Sequence, residues 1–228
     1  MTGVLDSGAG GVLTAKILSA LCPRTDVLLL ADRKNAPYGT RCDEEIIEIA
    51  ERGISRLLSS GAERVLIACC TASSLYPRFA PKIRGRSIPI IAPTAARAAE
   101  LTKSGRIGVL ATRATVRGGA FSREIKRILP SAEVFEREAG ELVGLVESGV
   151  RDGASDAFAK RKIIELTQPL IDEGIDTLVL GCTHFPYLYG SFKELFEGIS
   201  IASCAHEGAR AAAELSAAKE SGKVRYTE

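Results

Sequence analysis

Three short stretches carry side chains able to move protons. Residues 66–74 read LIACCTASS and residues 178–186 read LVLGCTHFP; each is an apolar run that ends in a small residue and a cysteine, with a threonine close behind. Residues 3–11, GVLDSGAGG, put Asp6 and Ser7 at the end of a third apolar run. A cysteine thiol is an effective base or acid toward carbon when its proton can leave and return. If Cys69 and Cys182 lie on opposite walls of one cleft, one thiolate can remove a proton from a carbon while the other thiol delivers a proton to the opposite face. That sequence of events inverts a stereocentre. Asp6 and His184 are the neighbours that would tune the two thiols. Each cysteine also precedes a helix start, TASS or THFP, and a helix N-terminus is expected to lower the thiol pKa and to hold a carboxylate.

Other chemistries fit the same residues less well. Zinc binding by Cys69, Cys70, Cys182 and His184 is disfavoured because Cys69 and Cys70 are adjacent and lack the two-residue spacing of structural sites, so no metal is expected. A dinucleotide loop is disfavoured because the glycine pattern beginning at Gly8 needs glycine at position 13, which is Leu13. Cys22, Cys42 and Cys204 read as core fillers.

These residues need a scaffold that places strand ends together. The apolar runs are Val4-Leu5, 27–31, 65–68, 88–92, 107–111, 133–135, 177–181 and 200–202, and helical patterns lie between them. In 43–60 the apolar face is Ile46, Ile47, Ile49, Ala50, Ile54, Leu57 and Leu58. Apolar strands alternating with helices predict an α/β fold with mainly parallel sheets covered on both faces. Gly61, Gly105 and Gly174 each stand between a helix and the next strand, where a helix ends in positive φ. The chain also echoes itself: GVLDSG returns as GVLATR, and VLIACCTAS as LVLGCTHFP. This predicts two facing, pseudo-symmetric α/β domains with the active site between them. The boundaries expected are 1–92 plus 205–228 for the first domain and 93–204 for the second. Ligands of parallel sheets bind at the carboxyl ends of the strands. Asp6, Ser7, Asp32, Cys69, Cys70, Thr112, Cys182 and His184 all fall there.

Composition narrows the function classes. Among 228 residues, 30 Lys and Arg nearly balance 28 Asp and Glu, so charge gives no footprint for nucleic acid. No apolar run reaches the length of a membrane span. The N-terminus has no basic segment followed by a long apolar one, so a cytoplasmic location with reduced thiols is expected.

The motifs GVLDSGAGG, APYGTRC, ACCTAS, IGVLATRATV, LVESG, DTLVLGCTHFP and HEGARAAAEL resemble, in order along nearly the whole chain, those of the glutamate racemases, within the wider aspartate/glutamate racemase family. The resemblance implies two α/β domains around the substrate, and an amino-acid racemase working without pyridoxal phosphate or metal through two cysteine bases. It implies L- and D-glutamate as substrate and a supply of D-glutamate for peptidoglycan. By position it implies that Cys69 and Cys182 are the bases. Asp6 is the acid beside the first, His184 the histidine beside the second, and Glu147 the glutamate of VESG. Ser7, Pro37, Tyr38, Gly39, Thr71, Thr112, Thr115 and Thr183 fall where the family contacts amino acid, as does Asp6.

The chain departs from the family in places. Cys70 stands where the family has a substrate-contacting asparagine. Ile201-Ala202-Ser203 stands for Ile-Asp-Ser, and REAGELVG lacks the usual Ala-Cys-Pro. A racemase for another amino acid such as aspartate, and a weakly catalytic amino-acid-binding protein, are therefore carried beside the glutamate reading. Whether two copies pair as a homodimer is left open.

Overall fold

The computed structural model describes residues 1–152, 157–216 and 224–227. The first part of the chain runs through strand β1 (Thr2–Asp6), helix α1 (Gly10–Leu21), β2 (Val27–Ala31), α2 (Asp43–Ser59) and β3 (Arg64–Ile67). It continues through the one-turn helices α3 (Cys70–Ser73) and α4 (Pro81–Arg84) into β4 (Ser87–Pro89) and α5 (Ile91–Leu101). Then follow β5 (Arg106–Ala111), α6 (Arg113–Gly118), α7 (Ala120–Ile128), β6 (Glu133–Glu138), α8 (Glu141–Glu147) and α9 (Ala157–Asp172). The last elements are β7 (Thr177–Gly181), α10 (Tyr189–Leu195), β8 (Ser200–Ser203), α11 (Cys204–Glu214) and β9 (Val224–Thr227).

The strands form two all-parallel sheets, ordered β4-β3-β1-β2-β9 and β6-β5-β7-β8. The echo in the sequence is a structural repeat. β1 pairs with β2 and β3 as β5 pairs with β6 and β7, and β4 and β8 lie outside β3 and β7. The cysteine-tipped strands β3 and β7 therefore occupy equivalent places beside the central strands. β9 is an added edge strand with no counterpart in the second sheet, and nothing in VRYT marks it as one.

Burial follows the apolar runs. β1 and β7 are buried along their whole length, as continuous apolar strands in doubly covered sheets must be. One core fills the space between the sheets. It joins Val4, Leu29 and Leu66 to Ile107, Val109 and Val179 through the small-residue faces of α1, α5 and α11. A second core packs α2 on the outer face of the first sheet, with Ile46, Ile49, Ala50, Ile54 and Leu57 inward and Ile47 and Leu58 half-buried. A third core packs α8, α9 and α10 on the outer face of the second sheet. Gly61, Gly105 and Gly174 take φ of 95°, 79° and 73°, as the helix-to-strand junctions require.

β6 runs on past the expected 133–135 to Glu138, and the largest difference from expectation lies at β4. The run 88–92 is not a single strand: β4 stops at Pro89 and α5 begins at Ile91. Ile90 and Ile91 are buried because the chain turns there from sheet to helix, and a short apolar run does not reveal such a turn.

Asp176 fastens the turn before β5 to the start of β7. Its carboxylate accepts from Thr102 Oγ1 at 2.6 Å, Lys103 N at 2.7 Å, Ser104 N at 2.6 Å and Thr177 Oγ1 at 3.0 Å. Burial acts to raise its pKa, but the donors outweigh it and hold the carboxyl below the usual range. Because the folded pKa is depressed, the stability it confers is complete above the unfolded value of about 4 and is lost as pH falls through the folded value. Asp176→Ala is expected to lower unfolding free energy by about 1.5–3 kcal/mol at neutral pH. Urea unfolding should find that difference shrinking in acid; a pH-independent difference would remove the charge from the explanation.

Candidate active site

The carboxyl ends of both sheets open into one cleft of about 720 Å³, lined by residues from each half. β3 ends at Ile67, and Ala68 leads to Cys69, the residue preceding α3. β7 ends at Gly181, directly before Cys182. Both thiols line the cleft and both are nearly buried, at 5% and 7% exposure. They are close enough for charge on Cys69 to act on Cys182.

Each thiol has its own polar neighbour. Ser7 Oγ lies 3.4 Å from Cys69 Sγ. His184 Nδ1 lies 3.8 Å from Cys182 Sγ, and His184 Nε2 meets Glu147 Oε1 at 2.6 Å. With Nε2–H donating to the Glu147 carboxylate, the Nδ1 of a neutral ring faces the thiol as an acceptor. The chain thus places a potential proton acceptor beside Cys182 and a carboxylate behind it. Asp6 couples the two walls. Its Oδ1 accepts from Gly8 N at 2.8 Å and its Oδ2 from Thr183 Oγ1 at 2.9 Å, across from the other half. A second crossing is a triangle of hydroxyls, with Thr71–Thr112 at 3.1 Å, Thr112–Thr115 at 3.0 Å and Thr71–Thr115 at 3.4 Å.

The structure brings most of the expected residues to the cleft wall: Ser7, Pro37, Tyr38, Gly39, Cys69, Cys70, Thr71, Thr112, Glu147, Cys182, Thr183 and His184. Asp6 and Thr115 are different. Both are fully buried and lie behind the wall, reaching the cleft through Thr183 and through Thr71 and Thr112. Asp32 also stands back from the cleft; it accepts from Tyr38 OH at 2.8 Å and steadies that ring. Sequence reasoning passed over Gly8, Ala9, Arg33, Ala36, Thr40, Arg113, Gly140, Val143 and Gly144, which complete the lining. Arg33 and Arg113 carried a usable signal, since each closely follows a strand's carboxyl end.

The GAGG run now has a physical reason that is not a dinucleotide. A Cβ on Gly10 would overlap the Thr183 side chain and stand 2.8 Å from its carbonyl carbon. A Cβ on Gly11 would overlap Asp6. Gly10 lets α1 approach the loop between Cys182 and His184, and Gly11 lets it approach Asp6 at the end of β1.

The expectation of lowered thiol pKa values is not met. Burial pushes Cys69 up to about 11, and the nearby Asp6 carboxyl adds to this, outweighing hydrogen bonds from Ser7 and the Ala72 and Thr71 amides. Burial likewise raises Cys182 well above its ordinary value, against the His184 amide. The helices that follow the cysteines are a single turn each, too short for a dipole to offset desolvation. Burial also raises Asp6, opposed by His184 and by donors from Gly8, Thr183 and Gly11. Both thiols therefore rest protonated, Cys182 beside the His184 ring and Cys69 beside the Ser7 hydroxyl with the Asp6 carboxyl within electrostatic reach.

Cys70 points to a second duty at the same corner. It touches the cleft, yet it is 3% exposed, and the neighbouring Cys204 thiol together with burial raises its pKa. Among the described residues no cluster of three or more His, Cys, Asp or Glu is arranged to hold a metal ion, and no helix is long and apolar enough to cross a membrane.

Comparison with known proteins agrees with this geometry. The sequence model of the family described as Asp/Glu/Hydantoin racemase matches residues 3–212. A glutamate racemase of Desulforudis audaxviator is 39% identical over 187 residues, covering 82% of this chain and 67% of the relative. The crystal structure of a glutamate racemase isoform of Bacillus anthracis superposes with a TM-score of 0.89 at 29% identity, covering 99% of this chain and 87% of that one. That of the Thermus thermophilus glutamate racemase in complex with β-chloro-D-alanine gives 0.84 at 26% identity, covering 99% and 86%.

Proposed function

Because the chain belongs to the Asp/Glu/hydantoin racemase family, we propose that it interconverts L- and D-glutamate by a two-base reaction at Cys69 and Cys182. The observation that carries this reading is the pair of buried thiols, one from each sheet, lining a single cleft with separate proton partners. The α-carbon lies between them. One cysteine, as thiolate, removes the α-proton; the electron pair left on carbon is delocalised into the substrate carboxylate. The other cysteine, as thiol, protonates the opposite face. After one turnover the protonation states of the two sulfurs are exchanged, which matches a reaction run in either direction. Asp6 and His184 assist by accepting and returning thiol protons, with Glu147 holding the imidazole. The high resting thiol pKa values make such assistance necessary, because few thiolates form unaided.

Ser7, Pro37, Tyr38, Gly39, Cys70, Thr71, Thr112, Thr115 and Thr183 form the proposed substrate shell, Thr115 from behind. The physiological role read from the family is a cytoplasmic supply of D-glutamate for peptidoglycan, with no organic cofactor or metal. The test is proton NMR in deuterium oxide with a panel of L- and D-amino acids, combined with polarimetry, with chelator present and pyridoxal phosphate excluded. Glutamate should lose its α-proton signal and its optical rotation. Exchange of aspartate instead would move the substrate. No exchange with any amino acid would favour a binding protein.

Cys70 is expected to serve substrate fit and not proton transfer, since burial and the neighbouring Cys204 thiol hold it protonated. Cys70→Ala should change kcat/KM for glutamate only slightly. Cys70→Asn should raise it several-fold, because an amide offers a charged substrate a hydrogen bond worth about 1.5–3 kcal/mol where a thiol offers a weak one. Loss of all activity in Cys70→Ala would give Cys70 a chemical role.

A further inference from the structure

We propose that Arg151 and Tyr187 are positioning residues for the proton partner of Cys182, with the Tyr187 ring as a platform on which Arg151 fixes the end of α8. The proposal rests on the two-base reading of Cys69 and Cys182.

Glu147 is the last residue of α8, and its half-exposed carboxylate meets His184 Nε2 at 2.6 Å. Among the described residues His184 is the one hydrogen-bond partner of that carboxylate, so its place depends on where α8 ends. The helix stops in a turn set by Gly149, which takes φ of 101°. The Gly149 N–H donates to Val146 O at 3.1 Å, and the Val150 N–H donates to Leu145 O at 3.1 Å. This is a glycine-terminated helix end that satisfies the last carbonyls. Arg151 follows and folds back, its Nη1 donating to Val146 O at 2.6 Å and to Val150 O at 2.7 Å. A cation is favoured there, at the negative end of the helix dipole.

The same guanidinium lies over the Tyr187 ring, with Cζ 4.3 Å from the centroid, within range of a cation–π contact. Tyr187 belongs to the tight turn Phe185–Leu188, directly after His184. Its N–H donates to His184 O at 3.1 Å, and its carbonyl accepts from Asp152 N at 2.9 Å. Its hydroxyl donates to Ala9 O at 3.1 Å, in the turn that follows Ser7. Arg151 thus ties the end of α8 to the segment that carries His184, and Tyr187 ties that segment to the opposite wall. Neither side chain lines the cleft. Their effect passes through Glu147 and His184, and so falls on the face served by Cys182. A contact that only held the fold would serve both faces alike.

The test uses the full chain with 3-chloroglutamate of L and of D configuration. Removal of the α-proton by a thiolate forms a carbon–carbon double bond and expels chloride from the β-carbon. The enamine tautomerises to the imine, and water releases ammonia to leave 2-oxoglutarate, which is measured. The enantiomer that a Cys69→Ser variant still processes reports on Cys182. Arg151→Met should slow elimination from that enantiomer by about 10- to 100-fold, in kcat with KM little changed, as misplacement of a reacting group does. The other enantiomer should keep close to the parental rate. Arg151→Lys keeps the cation without the planar stack and should be intermediate. Tyr187→Phe keeps the ring and should resemble the parent, whereas Tyr187→Leu should match Arg151→Met. A readout independent of turnover is proton NMR of protein with ¹⁵N-labelled histidine. The Nε2–H resonance of His184, assigned by its loss in His184→Asn, should be protected from exchange in the parent and broadened by exchange with water in Arg151→Met. The proposal is overturned by equal slowing of both enantiomers in Arg151→Met, by Tyr187→Leu behaving as Tyr187→Phe, or by an unchanged His184 resonance in Arg151→Met. If the parent eliminates chloride from neither enantiomer, the two-base reading fails instead, and the resonance alone decides whether Arg151 holds the pair.

Discussion

Cys69→Ser and Cys182→Ser are each expected to reduce racemisation of glutamate by roughly 10²–10⁴-fold, the usual worth of a positioned acid or base. Serine keeps the shape of the side chain and loses its acidity, so thermal stability should stay close to that of the parent. The two losses have different causes in the geometry. Cys69 stands at the end of the first sheet's β3 beside Ser7, and Cys182 at the end of the second sheet's β7 beside the His184–Glu147 pair. Each variant should therefore retain a half-reaction on one face. With a substrate carrying a β-chloro group, removal of the α-proton expels chloride, and no reprotonation of the opposite face is needed. Cys69→Ser and Cys182→Ser should then eliminate chloride from opposite enantiomers. Full racemase activity in either variant, or the same enantiomer preference in both, would rule out two bases at these positions.

The cysteines were legible because they end matched strands. The match between ACC and GCT survives divergence of the two halves, since strand ends in a parallel sheet are where chemistry must occur. The three helix-terminal glycines were legible for a similar local reason: only positive φ satisfies the junction. What the sequence hides is contact between distant elements. Thr183 reaching Asp6, and Glu147 reaching His184, join residues far apart in the chain, and no local pattern encodes those pairs. Glu147 was nameable only through family resemblance, because a half-exposed glutamate at the end of a short helix is indistinguishable from a solvated one. The thiol pKa values show the reverse failure. A helix start was correctly expected after Cys69, but the length of that helix and the depth of burial, which decide the sign of the shift, are tertiary quantities. Cys204 is the same kind of case: it is buried, as a core filler is, but its neighbour Cys70 borders the cleft.

A tight approach between the halves yields the second large effect, Gly10→Ala, with kcat/KM expected to fall about 10²-fold, the scale set by a displacement near 1 Å at a reacting centre. Local physics points the other way, since alanine favours a helix over glycine by about 1 kcal/mol. Packing decides. The new methyl would overlap the side chain of Thr183 and lie 2.8 Å from its carbonyl carbon, and backbone cannot rotate aside as a flexible side chain can. Either α1 withdraws or the loop carrying Cys182, Thr183 and His184 is pushed outward. Withdrawal pulls the Gly11 amide away from the Asp6 carboxyl, and outward movement stretches the Thr183–Asp6 bond and opens the spacing between the two thiols, so both relaxations disturb the cleft. Overpacking of this kind also costs about 1–3 kcal/mol of stability. Gly85→Ala is the matched control, because its Cβ would meet only the Pro81 carbonyl oxygen at 3.6 Å, an ordinary contact. It should leave activity and stability nearly unchanged. A Gly10→Ala variant with parental kcat/KM would mean that the wall between α1 and the Cys182 loop yields without moving either sulfur, and the tight glycine contact would then have no bearing on the reaction.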